Sequence, residues 1–438
     1  MQSEKESYDI LDRALAAANA DEADAVFISS DTNNSRFANS TIHQNMSEIS
    51  AELTLRVFLN GAMGVASTTS FERDDIEEMA AVAREAARHS LPLAKFNGLT
   101  KVCGPASAGP LKTARAPLPL TKARALCEVF QRDAKFAGSY GTSLMSVACG
   151  NSHGVRRYCT TSVAEATVIA IRGDESGYAT SIARDSVDII ALGDEAMEKA
   201  TIRAGARATL EAGAYDVILE PPAIAEVLEW LGMITFSGQA FEDGSSFFVD
   251  NIGKQLLTNS LTVADDAIDP EFLPFPFDLE GLPKRRVVLI ENGIPRTPVV
   301  DKIYADRLGI EPTANCWSLG SSDHGMAFHC SLAAGDATRE EMIRSTKRGI
   351  WVTRFNYVNG LLEPKTALMT GTTRDGTFLI RDGEVVARLP NLRWTQSIVE
   401  AFSRVEALTR DRRRVGTWFN AFGGTIAPAM KIEGWHFD

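Results

Sequence analysis

Histidine and cysteine are scarce in this chain, and neither falls into a metal-binding spacing. The histidines are His43, His89, His153, His324, His329 and His436. None belongs to H-E-x-x-H, the helical pattern in which two histidines hold zinc and a glutamate activates its water. The cysteines, Cys103, Cys127, Cys149, Cys159, Cys316 and Cys330, include no C-x-x-C pair. Met1 to Ala20 is acidic and amphipathic, unlike a signal peptide. Reduced thiols in a cytoplasm are therefore the expectation. No apolar run approaches the roughly 18 residues of a membrane-crossing helix. There is no G-x-G-x-x-G, no P-loop and no G-x-S-x-G elbow, which removes the usual nucleotide cradles and serine nucleophiles. A basic balance is also lacking. The net charge of −12 argues against a direct grip on nucleic-acid phosphates, which needs a positive face. The one dense basic run, Arg410 and Arg412 to Arg414, reads as a solvated helix end.

What is present is an ordinary globular composition, 45% apolar and 23% charged, over 438 residues. That length exceeds one ordinary core. The fold expected is α+β: two N-terminal helix–antiparallel-sheet–helix modules, then a larger antiparallel β-rich C-terminal domain. The boundaries expected are residues 1–90, a linker at 91–120, residues 121–212, and residues 213–438. In the first module Glu4 to Asn19 is helical, with Tyr8, Leu11, Leu15 and Ala18 on one face. Strands follow at Ala25 to Ser30, within Asn33 to Asn45, and at Leu53 to Leu59, where apolar and polar residues alternate. Asn60-Gly61 predicts a hairpin into Met63 to Ser67. A helix then buries Ile76, Met79, Ala80, Ala83 and Ala87. The same order returns after the linker. Helices at Leu120 to Phe136 and Asp194 to Ala212 enclose strands at Ser143 to Ala148, Gly154 to Thr160, Val163 to Arg172 and Tyr178 to Arg184. An internal duplication explains this order, and so does the general habit of covering one sheet face with helices.

In the last part Val217 to Leu219 precedes a helix at Pro222 to Phe236, begun by proline as helices tolerate. Ile350, Val352 and Phe355 start a strand, and Asn359-Gly360 reads as a tight turn. Asp375-Gly376 and Asp382-Gly383 read as hairpin loops, since Asp-Gly supplies the positive φ such loops need. Trp394 to Thr409 has helical spacing through Ile398, Phe402, Val405 and Leu408. The polar, aromatic stretch holding Arg354, Phe355, Asn356, Tyr357 and Asn359 is the candidate substrate-binding segment, as a strand edge that could take an extended peptide. The competing reading packs Phe355 and Tyr357 inward and leaves the asparagines to satisfy turns. His324, His329 and Cys330 have metal-ligand chemistry, but their spacing puts the two histidines on opposite faces of a strand. No catalytic residue is assigned.

The order Arg348-Gly349, Arg354-Phe355, Gly376 to Gly383 and Asn391 to Thr395, with Arg36 to Asn45 near the start, resembles the TldD/PmbA family. That family is often labelled modulator of DNA gyrase and contains metallopeptidases. In its catalytic members the helix after the first strand of the C-terminal domain bears His-Glu-x-x-x-His, and a cysteine near the C-terminus is the third zinc ligand. Here the matching helix carries Glu226 and Glu229 without histidine, and no cysteine follows Cys330. The chain thus resembles the TldE (PmbA) type, which lacks the ligands and pairs with a TldD-type zinc subunit. The resemblance implies no cofactor in this chain, zinc in a catalytic partner, and a homodimer or heterodimer enclosing a cavity for unfolded peptides. The acidic charge and the missing apolar run, not the resemblance, carry the expectation of no direct nucleic-acid contact and no membrane. Two alternatives stay open: a free-standing metallopeptidase with a displaced metal site, and a non-enzymatic modulator that binds gyrase or another protein. Part of the aromatic set Trp317, Trp351, Trp394, Trp418, Phe419, Phe422 and Trp435 is expected at the dimer surface.

Overall fold

The computed structural model describes residues 2–101, 119–129, 134–202, 208–273, 275–320, 325–416 and 423–438. His324, Trp418, Phe419, Phe422, Cys103 and most of the expected linker lie outside the described residues.

The first part runs α1 (Glu4–Ala18), β1 (Glu22–Ala38), β2 (Thr41–Leu59), β3 (Ala62–Thr68) and α2 (Arg73–His89). The second repeats that order with α3 (Pro119–Val129), β4 (Lys135–Asn151), β5 (Arg156–Arg172), β6 (Glu175–Ala183) and α4 (Ile189–Thr201). Each repeat therefore has three long strands where the sequence suggested four short ones. The polar stretch Ser29 to Ser35 does not end β1, because β2 and β4 pair with it on both sides. A ladder satisfied on both edges, rather than side-chain polarity, sets its length. The six strands form one sheet in the order β3-β2-β1-β4-β5-β6, a two-fold pattern about the β1–β4 pair. The duplication reaches single residues. Gly64 in β3 lies against the backbone of α2, and Gly177 in β6 against that of α4. A Cβ on either would come within 2.1 Å of a helix carbonyl oxygen. Asn60-Gly61 makes the expected two-residue hairpin, both residues at positive φ.

All four helices cover one face of this sheet. Two clusters of buried residues lie under them, one around Phe27, Leu55 and Val57, the other around Phe136, Tyr140 and Val168. On the opposite face Val26, Val147, Cys149 and Cys159 pack against Phe275, Phe277 and Leu279 of the C-terminal half. Ion pairs stitch the two halves together. Arg56, fully buried, bonds Asp24 in its own sheet and Glu280 across the junction at 2.8 Å. Lys199 of α4, also buried, meets Glu220 at 2.7 Å.

The C-terminal half opens with β7 (Gly213–Leu219), α5 (Pro221–Ile234) and α6 (Gly238–Glu242), then β8 (Val263–Asp265), β9 (Val287–Glu291), β10 (Ile294–Pro295) and α7 (Lys302–Leu308). It continues through β11 (Cys330–Leu332), α8 (Arg339–Arg344), β12 (Arg348–Glu363), β13 (Leu368–Arg381), β14 (Glu384–Arg388) and β15 (Arg393–Ser397). The last elements are α9 (Ile398–Ser403), β16 (Val405–Val415) and β17 (Thr425–Phe437). Pairing is antiparallel except between β7 and β12 and between β11 and β17. Because β17 also pairs with β7, strands β17-β15-β13-β12-β7 close into a ring around α5 and a buried aromatic knot. In that knot the Phe355 ring lies 4.6 Å from Trp394 and 5.5 Å from Trp435. Trp351, Trp394 and Trp435, expected in part at a dimer surface, are thus core residues.

Three local expectations fail for identifiable reasons. Asn359-Gly360 does not turn; β12 continues to Glu363, where Gly360 packs on Trp230 of α5. Asp375-Gly376 is not a hairpin loop but a bulge inside β13, set opposite Thr353. Positive φ serves a bulge as well as a hairpin, so the dipeptide alone could not tell them apart. Asp382-Gly383 does make the β13–β14 hairpin. Trp394 to Thr409 is helical only over Ile398–Ser403, after which pairing with β17 overrides the helical spacing. The arginines read as a solvated helix end accordingly sit on β16. There Arg413 pairs with Glu195, and Arg414 donates to the Ile182 carbonyl at 2.8 Å, tying β16 to the N-terminal sheet. Helix α4 ends at Thr201, short of the expected Ala212, and Phe136, expected at a helix end, belongs to β4.

Candidate functional site

A cavity of about 590 Å³ opens between α5 and β12. Its walls come from three places. Helix α5 gives Pro222, Glu226, Glu229, Trp230 and Met233; β12 gives Arg354 to Asn359; Tyr178 and the Val415-Gly416 end of β16 close the side towards the N-terminal sheet.

Helix α5 is placed by its sequence. Pro221 and Pro222 occupy its first turn, where no backbone N–H is lost from the ladder. Ile224, Val227, Leu228 and Leu231 face the closed ring of strands. The remaining side of the helix, bearing Glu226, Glu229, Trp230 and Met233, is left to the cavity.

Strand β12 is placed by irregularity. It pairs with β7 only from Gly349 to Val352, and Glu220 N–H caps that pairing on the Val352 carbonyl at 3.0 Å. Beyond Val352 the β7 side of the strand has no strand neighbour among the described residues, while β13 continues to pair on the other side. One extra residue between Asn356 and Asn359 bulges the strand towards α5. At the bulge Tyr357 adopts φ 56°, a conformation uncommon outside glycine and costly enough to single the position out. Its ring is thrown outward, 86% exposed, while Phe355 and Val358 turn into the core. The bulge also aims Val358 N–H at Glu226 Oε1, 3.3 Å away.

Each of the five sequence-singled residues lines this cavity, in different ways. Phe355 forms its floor through the aromatic knot. Asn359 accepts the Leu361 N–H at 2.8 Å and shapes the local chain. The Asn356 side chain lines the cavity and makes no hydrogen bond among the described residues. Arg354 is tied down: its guanidinium lies 4.4 Å over the Tyr178 ring and donates through Nε and Nη2 to Asp375. Asp375 also accepts from Ser176 Oγ at 2.8 Å, so the N-terminal sheet holds the site's arginine in place. The Arg354 charge is offset by Asp375. Burial, with Glu229 nearby, pushes the Glu226 carboxyl above the ordinary range, against the opposing pull of Val358 N–H and Arg354. Sequence reading missed Tyr178 and Asp375. They come from β6 and from a bulge read as a hairpin, and nothing in the linear pattern joins them to β12.

The residues present do not fit zinc. The cavity side of α5 offers two carboxylates and no imidazole or thiolate. Among the described residues no three His, Cys, Asp or Glu side chains come together to hold a metal. His329 is buried elsewhere, edge-on to Phe272 at 5.6 Å, with its backbone N–H on Asp265. Cys330 faces the core that packs on α5, and burial pushes its thiol well up. The two neighbours therefore serve different surroundings.

Comparison with known proteins agrees with this architecture. The PmbA/TldA metallopeptidase C-terminal domain matches residues 212–438, and domain 1 of the same family matches residues 23–87. A metalloprotease of Methanothermobacter thermautotrophicus is 24% identical over 55% of this chain and 52% of its own length. The metalloprotease PmbA of Escherichia coli O157:H7 is 24% identical over 71% of this chain and 68% of its own. The chain thus spans about half the length of the first of these curated relatives. TldE from Thermococcus kodakarensis superimposes with a TM-score of 0.82 at 20% identity, covering 99% of this chain and all of the other. A Thermotoga maritima protein described as a candidate modulator of a DNA gyrase gives 0.81 at 19% identity, over 98% of this chain. With its C-terminal half matched throughout and the whole fold shared, the chain belongs to the PmbA/TldD metallopeptidase family.

Proposed function

We propose that this chain is a TldE-like, zinc-free subunit that binds extended peptides and works beside a zinc-bearing, TldD-like chain. One observation carries the reading: a cavity bounded by a strand edge that no strand pairs with among the described residues, and by a helix without zinc ligands. Set against His-Glu-x-x-x-His, the stretch Ala225-Glu226-Val227-Leu228-Glu229-Trp230 keeps the glutamate and has alanine and tryptophan in the histidine places. The site can still recognise a peptide backbone. An extended guest beside Thr353 to Asn359 would add a strand to β12, with main-chain hydrogen bonds giving affinity without sequence readout. The free Asn356 amide offers a further donor and acceptor, and Trp230 and Tyr357 offer faces for side chains. A cavity of about 590 Å³ would admit an extended chain and exclude a folded domain by size.

The test is binding of a short, fluorescently labelled, unstructured peptide by the purified chain, followed by anisotropy. Saturable binding is expected, weakened several-fold by Asn356→Ala and absent for a folded protein of similar size. Mixing with a zinc-bearing partner should then yield peptidase activity that neither chain has alone. No binding, or strong hydrolysis by the isolated chain, would contradict the proposal.

A further inference from the structure

The face of the N-terminal sheet turned away from the helices changes character along its length. Where the C-terminal half covers it, the face is apolar, with Val26, Val147 and Cys149 against Phe275 and Phe277. Further along the same strands it is open and polar. There Thr32 and Asn34 of β1, Gly141 and Ser143 of β4, and Glu165 of β5 line a second concavity, of about 270 Å³.

Polar residues on the open face of an antiparallel sheet are ordinary; three features of this concavity are not. Asn34, Gly141 and Glu165 are cross-strand partners in one row, with the glycine in the middle. A Cβ at Gly141 would come within 3.3 Å of both Asn34 Nδ2 and Glu165 Oε1. Glycine therefore leaves a notch with an amide on one wall and a carboxylate on the other. Second, the hydroxyls beside the notch satisfy each other, Thr32 Oγ1 lying 3.2 Å from Ser143 Oγ. The Asn34 amide and the Glu165 carboxylate, by contrast, make no hydrogen bond or ion pair among the described residues. Third, the Glu165 side chain is open to solvent, yet the walls around it desolvate its carboxyl and push it above the ordinary range, with no cation pulling the other way.

The notch adjoins the peptide cleft. Gly416 belongs to the cleft wall, and a Cβ on it would lie 4.0 Å from Glu165 Oε2. Tyr178, also in the cleft wall, shares one face of β6 with Ile182, the cross-strand partner of Glu165. Four residues of strand separate the two, about 13 Å, a span that about four residues of an extended guest would cover.

We propose that the notch over Gly141 is an ammonium subsite at one end of the cleft, taking a primary amine of the bound peptide, from its free N-terminus or from a lysine side chain, with Glu165 as counter-ion. The inference rests on the peptide reading of the cleft and adds a chemical class to it. An ammonium is compact and carries three donors. The two 3.3 Å approaches to one point put the amide and the carboxylate within reach of a single small donor group. Glu165 supplies the charge, the Asn34 amide oxygen a second acceptor, and the Thr32–Ser143 hydroxyl pair a third. An arriving cation also pairs a carboxylate that the walls desolvate and no residue neutralises, which is the costly state for such a group.

Fluorescence anisotropy tests this with one unstructured, lysine-free peptide labelled at its C-terminus. Its N-terminus is free in one form and acetylated in another; a third, acetylated form carries a single lysine. An amine-bearing form should bind wild type several-fold more tightly than the acetylated lysine-free form, and whichever form does so identifies the source of the amine. Glu165→Gln should abolish that preference without lowering the melting temperature and without changing the affinity of the acetylated lysine-free peptide. Gly141→Ala, which fills the notch, should weaken the same preference. Glu128→Gln removes the same charge from an exposed position on α3, on the other side of the sheet, and should leave the preference intact. Equal binding of all three peptides, or a preference that survives Glu165→Gln, would overturn the subsite and leave the cleft standing. Absence of binding by every peptide would contradict the cleft and the subsite together.

Discussion

The N-terminal and C-terminal sheets are built by opposite strategies. The N-terminal six strands keep register almost throughout, with one irregularity, between Arg36 and Phe37. In the C-terminal sheet β12 and β13 alone shift register three times. Positive φ at Tyr357, Asp375 and Gly376 falls in the same small region, and that region walls the cavity. A regular ladder satisfies every backbone group and offers nothing to a ligand, whereas a bulge releases groups and re-aims side chains. The N-terminal sheet thus supports and positions, while the irregular β12 lines the cavity. Tyr178 and Ser176 show the support at work, reaching from β6 to hold Arg354 and Asp375.

The largest expected effect breaks the junction between the two sheets. Arg56→Met leaves Asp24 and Glu280 buried without their cation, which should cost about 3–5 kcal/mol in chemical denaturation. A loss no larger than that of an ordinary surface substitution would show that the junction does not depend on this ion triad. The same cluster predicts a pH dependence. Burial, with Asp301 and Asp278 nearby, pushes the Glu280 carboxyl up from 4.5 to about 8, against the pull of Arg56. One guanidinium shared by two carboxylates leaves the second free to keep a proton. A carboxyl held higher in the folded than in the unfolded state stabilises fully below the unfolded value, and that contribution is lost as pH rises through the folded one. Unfolding free energy should therefore fall between about pH 4.5 and about pH 8, and Glu280→Gln should flatten that slope. An unchanged slope in the variant would assign the dependence elsewhere.

A smaller effect sharpens the contrast from the other side. Gly376 has φ 141°, and a Cβ there would come within 2.7 Å of Thr353. Gly376→Ala should cost about 1–3 kcal/mol by straining the bulge. It should also weaken peptide binding, because the same bulge carries Asp375 to Arg354. Loss of stability with unchanged peptide affinity would separate the bulge from the site.

Much of this was legible in the sequence, and what was not has physical reasons. Apolar alternation at Leu53 to Leu59, the Asn60-Gly61 and Asp382-Gly383 turns and the α5 face could be read directly, since each depends on local chemistry. The α+β class and the recurrence of the helix–strand order followed from them. That both repeats share one sheet could not be read, because the β1–β4 pairing joins residues more than a hundred positions apart. Asp375-Gly376 was misread because bulge and hairpin make the same demand on φ. The helical spacing from Ile398 to Leu408 is real for α9 and then yields to pairing with β17. The residues of the candidate segment were visible as a polar, aromatic strand, but their cavity was not. It needs Tyr178 and Gly416 from elements far away in the chain.

A chain that contributes a peptide cleft to a two-chain peptidase, as proposed, needs no zinc of its own. The direct measurement is elemental analysis of the purified chain after metal-replete expression, with a zinc-bearing relative prepared in parallel. No stoichiometric zinc is expected in this chain, alongside one zinc per chain in the relative. One zinc per chain here, lost on substituting His324 or His329, would contradict it.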